Sequence, residues 1–128
     1  MVYHGVSDPI FSVNDTTAWF EGVQANNGGD ASGFARFYRV PGMSHCGLGP
    51  STDQFDMLSQ LVAWVEKGKA PGSVLAQARG VGNAVAANPD VPASWLPNRT
   101  RPLCPYPTVA RLNAGATDLE SAASFSCR

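Results

Sequence analysis

A strand-like segment that ends in a loop with adjacent histidine and cysteine constrains this chain more than any other feature. The alternation over Phe34–Val40 is typical of a β-strand, and Pro41-Gly42 ends it because proline cannot donate a ladder hydrogen bond. The loop that follows holds His45 and Cys46, and loops at the carboxyl ends of strands are where open α/β sheets place ligand chemistry. A single loop histidine is more often merely solvated or hydrogen-bonded, so other parts of the chain must decide its role.

A second strand end lies near the start of the chain. Val2-Tyr3-His4 has strand character, and Gly5 interrupts it. Pro9 then disfavours a helical conformation for Asp8, which predicts a turn. Taken alone, Asp8 is an ordinary turn residue, and His4 is a packing or hydrogen-bonding residue at the end of a strand.

Two helices are predicted. The first spans roughly residues 15–24, and either Ser12 or Asn14 can cap it. The second ends at Gly68, and its candidate caps are Ser51, Thr52 and Asp53. Its apolar positions recur three and four residues apart, which is typical of a helix that lies against a sheet: Phe55, Leu58, Leu61, Val62 and Val65.

The order of these elements predicts an α/β fold. A helix joins the two strands, so they should run parallel with a right-handed crossover. Asp8 and His45 would then leave the same end of the sheet. Residues 1–79 are predicted to form this ordered part, and residues 80–128 a loop-rich tail of the same domain in which prolines keep residues 99–107 extended.

The pairing of Asp8 with His45 is chemically specific. In an α/β-hydrolase the catalytic triad follows the chain order serine, acid, histidine, so an aspartate before a histidine matches its last two members. The carboxylate holds the imidazole Nδ1–H, which leaves Nε2 to take the serine proton and return it. The sequence therefore predicts the acid and base of a nucleophilic site.

Four ordered motifs carry a family resemblance: Tyr3–Pro9, Val40–Gly47, Phe55-Asp56 leading to Trp64–Pro71, and Arg99–Pro107 with Phe125–Cys127. They closely resemble the tannase/feruloyl esterase family over nearly the whole chain. The resemblance implies a secreted or periplasmic serine carboxylesterase with an α/β-hydrolase fold. It also implies a small aromatic ester of the feruloyl or galloyl type as substrate, with Asp8 as the triad acid and His45 as the base.

The same resemblance implies how the cysteines pair. Cys104 and Cys127 would form a disulfide that closes the proline-rich tail, and Cys46 would pair with a cysteine just before the nucleophilic serine. Neither that cysteine nor a Gly-x-Ser-x-Gly elbow is found in this sequence, nor is the family's inserted lid with its structural calcium site. The chain therefore resembles the C-terminal portion of a larger enzyme, and the rest of that catalytic domain is its expected partner.

Two further site residues follow from analogy. Ile10 and Phe11 lie just past Asp8 and are expected to be buried, and by analogy they would line the substrate pocket.

Other function classes find little support. Nine basic and ten acidic residues are spread along the chain, so no basic face indicates nucleic acid, and no apolar run approaches a membrane span of about 20 residues. A zinc site from His4, His45 and Cys46 lacks the paired spacing of known zinc motifs, so no metal or other cofactor is predicted for this chain. The alternative function is a small secreted binding module without catalysis, stapled by a disulfide. That alternative explains the cysteines and loops, but not the placement of Asp8 and His45.

Overall fold

Two parallel strands joined by a helix carry both loops. The computed structural model describes residues 1–128 and places β1 at Val2–Gly5, α1 at Val13–Ala25 and β2 at Phe37–Val40. β1 and β2 pair in parallel, and the register sets Gly5 opposite Val40. The predicted order of strand, helix and parallel strand is therefore confirmed. The loops after the two strands leave the same end of the pair.

The remaining elements form two antiparallel sheets. β3 (Gln54–Phe55), β4 (Val74–Gln77) and β5 (Thr100–Leu103) make one sheet, and β6 (Ala110–Leu112) and β7 (Phe125–Cys127) make the other. α2 covers Met57–Lys67, and a 3₁₀ turn covers Ala122–Ser124. The extended segment over residues 99–107, which includes β5, was predicted. The pairing of β6 with β7 was not.

The core connects the parallel pair to the larger antiparallel sheet. Side chains from β2, its loop, β4 and β5 form one buried cluster: Tyr38, Val40, Met43, Val74, Ala76 and Leu103. The Tyr38 hydroxyl donates to the Gly72 carbonyl at 2.9 Å, so the buried phenol keeps a partner. A second set of packed rings, Phe20, Phe37 and Tyr106, joins α1 to the tail. The tail is therefore part of the same packed unit as the first half.

Two element boundaries differ from the prediction. The strand expected over Phe34–Val40 begins only at residue 37, because residues 31–35 form a turn in which the Ala35 amide donates to the Ala31 carbonyl at 2.9 Å. The second helix begins at Met57, and its cap is Asp56, whose side chain accepts from the Ser59 amide at 2.9 Å. The predicted caps Ser51, Thr52 and Asp53 were wrong because residues 54–55 pair with β4 before the helix starts.

The packing predicted for α2 was also wrong. None of its residues is buried, and Leu58 and Val65 are 72% and 77% exposed. Its end was predicted correctly, since Gly68 adopts the left-handed conformation at φ 62° and donates its N–H to the Ala63 carbonyl. The apolar stripe of α2 is therefore open within these 128 residues. No helix of the chain is both long enough and apolar enough to span a bilayer.

The tail is closed covalently. Cys104, just after β5, is bonded to Cys127 at the end of β7, across a sequence separation of 23 residues. This is the bond that the family resemblance implied. Cys46 is an exposed free thiol in the chain.

We expect the Cys104–Cys127 bond to contribute about 3 kcal/mol to the free energy of unfolding, because it restricts the unfolded tail. Urea unfolding of the oxidised chain and of a Cys104→Ser/Cys127→Ser variant measures the difference. Cys46→Ser is the matched control and should leave the unfolding midpoint unchanged. Peptide mapping without reductant that finds Cys46 bonded to Cys104 or Cys127 as the main species would contradict this assignment.

Candidate active site

Backbone hydrogen bonds join the loop after β1 to the loop after β2, at residues that precede Asp8 and His45. The Val6 amide donates to the Val40 carbonyl at 3.0 Å, and the Ser7 amide donates to the Met43 carbonyl at 3.0 Å. The pairing of β1 with β2 therefore continues past the ends of the strands. Asp8 follows immediately on one side of this extended pairing.

The carboxylate of Asp8 uses its two oxygens for different purposes. Oδ1 accepts from the backbone amides of Ile10 at 2.8 Å and Phe11 at 3.1 Å, which fixes the side chain in its own turn. Oδ2 accepts from His45 Nδ1 at 2.8 Å and lies 3.3 Å from His4 Nε2. The Asp8 side chain is only 4% exposed, so these contacts replace most of its hydration.

The environment keeps Asp8 ionised. Burial raises its pKa, but the hydrogen bonds from His45, Ile10 and Phe11 outweigh that effect and hold the pKa well below its usual range. An ionised carboxylate can only accept, so the proton in the Asp8–His45 hydrogen bond resides on Nδ1 of the imidazole.

His45 is held on one side and open on the other. Nδ1 is bonded to Asp8, Nε2 makes no hydrogen bond within the chain, and 42% of the side chain is exposed. The ring of Phe11 lies beside the imidazole, with 5.5 Å between centroids. A fixed Nδ1–H with an accessible Nε2 is the geometry that general acid–base transfer requires.

His4 takes part in the site, which the sequence analysis did not predict. Its Nε2 lies 3.1 Å from the Phe11 carbonyl, an acceptor, so Nε2 carries a proton and Nδ1 faces the Thr16 hydroxyl at 2.7 Å. The expected hydrogen-bonding role is therefore observed. The contact with Asp8 crosses a glycine turn, so no strand or helix periodicity in the sequence indicated it.

Glycines allow the close approach of the two loops. A Cβ on Gly5 would lie 2.3 Å from the Met43 carbonyl oxygen and 2.5 Å from that of Ser44. Gly42 has a φ of 73°, and a Cβ there would lie 2.2 Å from the Pro50 carbonyl oxygen. The backbone around His45 therefore packs too closely for a side chain at Gly5 or Gly42.

The residues after His45 adopt conformations that L-residues avoid. Cys46 and Leu48 have φ values of 60° and 62°. The left-handed region costs an ordinary residue roughly 1–2 kcal/mol. Other interactions must therefore hold this segment in place.

A shallow cavity of about 350 Å³ lies in front of the pair, and Phe11, His45 and Cys46 are among its lining residues. Ile10 lines a neighbouring depression of about 400 Å³, which also includes Asp8 and Phe11. The expectation that Ile10 and Phe11 are buried was wrong, since both side chains are largely exposed. The physical reason is that both residues lie in the turn whose amides donate to Asp8 Oδ1, and no helix or strand of the chain covers their side chains. No group of three or more histidine, cysteine or acidic residues is placed to hold a metal ion.

Comparison with known proteins gives relatives along the whole chain. The profile of the family described as Tannase and feruloyl esterase matches residues 1–128. Mono(2-hydroxyethyl) terephthalate hydrolase of Piscinibacter sakaiensis is 48% identical over 128 residues, which is 99% of this chain and 19% of that protein. A probable feruloyl esterase of Arthroderma benhamiae is 32% identical over 129 residues, which is 98% of this chain and 22% of that protein.

Solved structures share the fold. An esterase from Aspergillus oryzae superposes with a TM-score of 0.75 at 22% identity, over 99% of this chain and 27% of that one. Feruloyl esterase B from the same species gives a TM-score of 0.73 at 24% identity, over 99% of this chain and 26% of that one. Both of these solved structures are of esterases, and the likeness is one of fold. The chain belongs to the tannase and feruloyl esterase family. It spans about a fifth of the length of the curated relatives that it matches.

We expect Gly5→Ala to destabilise the chain by about 1–3 kcal/mol, because the new methyl group overlaps backbone atoms that cannot move independently. Gly22→Ala is a matched control, since a Cβ at this helical position meets nothing within 4 Å. That change should be neutral or should stabilise α1 by up to about 1 kcal/mol. Urea unfolding of both variants tests the close approach, and equal stabilities would contradict it.

The lowered pKa of Asp8 predicts a pH dependence of stability. Its ionised form is stabilised in the folded chain, so that stabilisation is complete above the unfolded pKa of about 3.9 and is lost as the pH falls through the lower folded pKa. Below about pH 4, the free energy of unfolding should therefore fall more steeply with decreasing pH in the wild type than in Asp8→Asn. Urea unfolding at a series of pH values measures both slopes, and identical slopes would contradict the assignment.

Proposed function

We propose that this chain is the C-terminal part of a serine carboxylic-ester hydrolase with an α/β-hydrolase fold. Asp8 and His45 are the acid and the base of its catalytic triad. The observation that carries the proposal is the 2.8 Å hydrogen bond between His45 Nδ1 and Asp8 Oδ2. It leaves Nε2 as the one ring nitrogen that can exchange a proton with a nucleophile. Membership of an esterase family supports the same roles.

The nucleophilic serine comes from sequence outside these 128 residues. The triad order serine, acid, histidine puts it before Asp8 in the protein chain. The share of the relatives that this chain covers, about a fifth, supports that placement. Ser44 is not the nucleophile, because it precedes His45 directly and does not sit on a strand-to-helix elbow.

The reaction is acyl transfer in two steps. The serine oxygen attacks the ester carbonyl carbon while His45 Nε2 takes the hydroxyl proton, and a tetrahedral intermediate forms. The bond to the alcohol oxygen then breaks, and Nε2 returns the proton to that oxygen. Water attacks the acyl-enzyme in the same way and releases the carboxylic acid. Asp8 stays ionised throughout, because it holds the imidazole tautomer and stabilises the imidazolium.

The substrate is a small aromatic ester of the feruloyl or galloyl type. Two relatives support this class by name, one as a probable feruloyl esterase and one as a terephthalate monoester hydrolase. Phe11 offers an aromatic face beside His45, and Ile10 lies in the adjoining depression. These two side chains form one wall of the pocket, and the rest of the catalytic domain supplies the other walls.

The cysteines support an oxidising location. A disulfide is stable in secreted or periplasmic proteins and rare in the cytosol, so the Cys104–Cys127 bond favours the former. Cys46 pairs with a cysteine next to the nucleophile and so ties the two catalytic loops together. The chain itself needs no cofactor, and a structural calcium ion belongs to the lid outside it.

The alternative of a non-catalytic binding module is less well supported. A binding module has no need of a buried carboxylate that orients a half-exposed imidazole. Asp8 at 4% exposure beside His45 at 42% exposure is an arrangement suited to proton transfer.

The test is steady-state hydrolysis of methyl ferulate and methyl gallate by the full-length protein that contains this chain. We expect His45→Ala to remove most of the turnover. Asp8→Asn should lower kcat on the order of 10⁴-fold with a smaller effect on KM, because it disturbs the imidazole rather than the substrate contacts. The isolated 128-residue chain should hydrolyse neither ester above background, since it lacks the nucleophile.

His4 is unsuitable as the control because it contacts Asp8. Arg111→Ala is the better control, since Arg111 is exposed on β6 and lines neither of the two depressions beside His45. It should keep kcat and KM within about twofold. Near wild-type kcat in His45→Ala would overturn the esterase assignment of this loop.

A further inference from the structure

A second aspartate, Asp53, also binds the loop that carries His45. Asp53 Oδ2 accepts from the Leu48 amide at 2.8 Å, three residues after His45. Leu48 is one of the two non-glycine residues in the left-handed conformation, so this bond holds the segment where its backbone is least favourable. The Asp53 side chain is fully buried.

Arg79 binds that carboxylate through two hydrogen bonds, one to each oxygen. Its Nε donates to Asp53 Oδ1 at 3.0 Å, and its Nη2 donates to Asp53 Oδ2 at 2.6 Å. The planar guanidinium fixes the orientation of the carboxylate as well as its charge. Burial raises the pKa of Asp53, but the bonds from Arg79 and Leu48 outweigh it and keep the pKa below its usual range. The acceptor for the Leu48 amide is therefore ionised and fixed.

The segment after β4 adds two further bonds to the same loop. Asn88 is buried, and its Nδ2 donates to the Gly49 carbonyl at 2.9 Å. Asp90 Oδ2 accepts from the Gly49 amide at 2.9 Å. Arg79 reaches this segment too, since its Nη1 donates to the Ala86 carbonyl at 3.1 Å. The guanidinium thus joins the His45 loop to residues 86–90.

We propose that Asp53 and Arg79 are positioning residues for the esterase reaction. The inference rests on the proposed function of His45. Asp8 sets the rotation of the imidazole, and the Asp53–Arg79 ion pair sets the position of the backbone from which His45 projects. Neither residue touches the substrate. A shift of about 1 Å in a catalytic group can cost on the order of 100-fold in rate, so this anchor should matter for turnover.

The test uses the full-length protein and the same ester substrates, with kcat expressed per mole of folded enzyme. Arg79→Met should lower kcat about 10- to 100-fold while KM changes less than about twofold. Arg79→Lys keeps the charge but cannot make the bidentate pair of hydrogen bonds, so its kcat should lie between those of Arg79→Met and the wild type. The Nδ1–H proton signal of His45 in the NMR spectrum should weaken or shift in Arg79→Met, as a direct sign of the disturbed imidazole.

Arg99→Met is the matched control. Arg99 also pairs with a carboxylate, at 3.5 Å from Glu120, but it lies in the tail and its side chain makes no hydrogen bond or ion pair with the His45 loop. This variant should keep kcat, KM and the His45 signal. If Arg99→Met lost as much kcat as Arg79→Met, the positioning role would be overturned, because any broken ion pair would then have the same effect.

The two proposals fail in different ways. His45→Ala is measured in the same series, and if it stays active, the proposed function itself is wrong. If His45→Ala is inactive and Arg79→Met is fully active, only the positioning role is wrong. If Arg79→Met does not fold, Asp53→Asn replaces it and should lower kcat with KM preserved. If neither variant folds, the pair is a folding element and the positioning role is overturned.

Discussion

The parallel pairing of β1 with β2 is the interaction on which the site depends. Because parallel strands end on the same side, the residues after Gly5 and after Val40 enter one volume of space. Amide-to-carbonyl bonds from Val6 and Ser7 carry the pairing beyond the strands. Gly5 lets the backbones touch there, since any Cβ would overlap the Met43 carbonyl. The Asp8–His45 bond is therefore a consequence of strand register and not of a local motif.

This origin explains which features could be predicted from the sequence. Alternation, helix periodicity and the order of elements depend on neighbouring residues, so the parallel pair and the meeting of Asp8 with His45 were predictable. The family resemblance added the Cys104–Cys127 bond. The start of α2 was mispredicted because residues 54–55 pair with a strand that comes about twenty residues later, and this tertiary pairing overrides a good local cap.

The hydrogen bonds and the ion pair that support the His45 loop could not be predicted from the sequence for a related reason. Asp53 and Arg79 are 26 residues apart, and Asn88 is 39 residues from Gly49, so no periodic signal connects them. Such pairs become visible only when the fold is known. The exposure of Ile10 and Phe11 was mispredicted similarly, because apolar character suggested burial, whereas both residues lie in the turn whose amides donate to Asp8 Oδ1 and their side chains are exposed.

The proposed acid and base are held in place by bonds within these 128 residues. Asp8 receives bonds from its own turn and from His45, and the loop after His45 is bonded to Asp53, Asn88 and Asp90, all from the same chain. Preorganisation is useful because the polar groups then need not reorient when charge develops on the imidazole. The side of the imidazole that carries Nε2 remains exposed to solvent. A nucleophile would have to approach from that side, and the exposed ring of Phe11 borders the same opening. In the proposed enzyme, the rest of the catalytic domain therefore completes the face of this chain that presents Nε2.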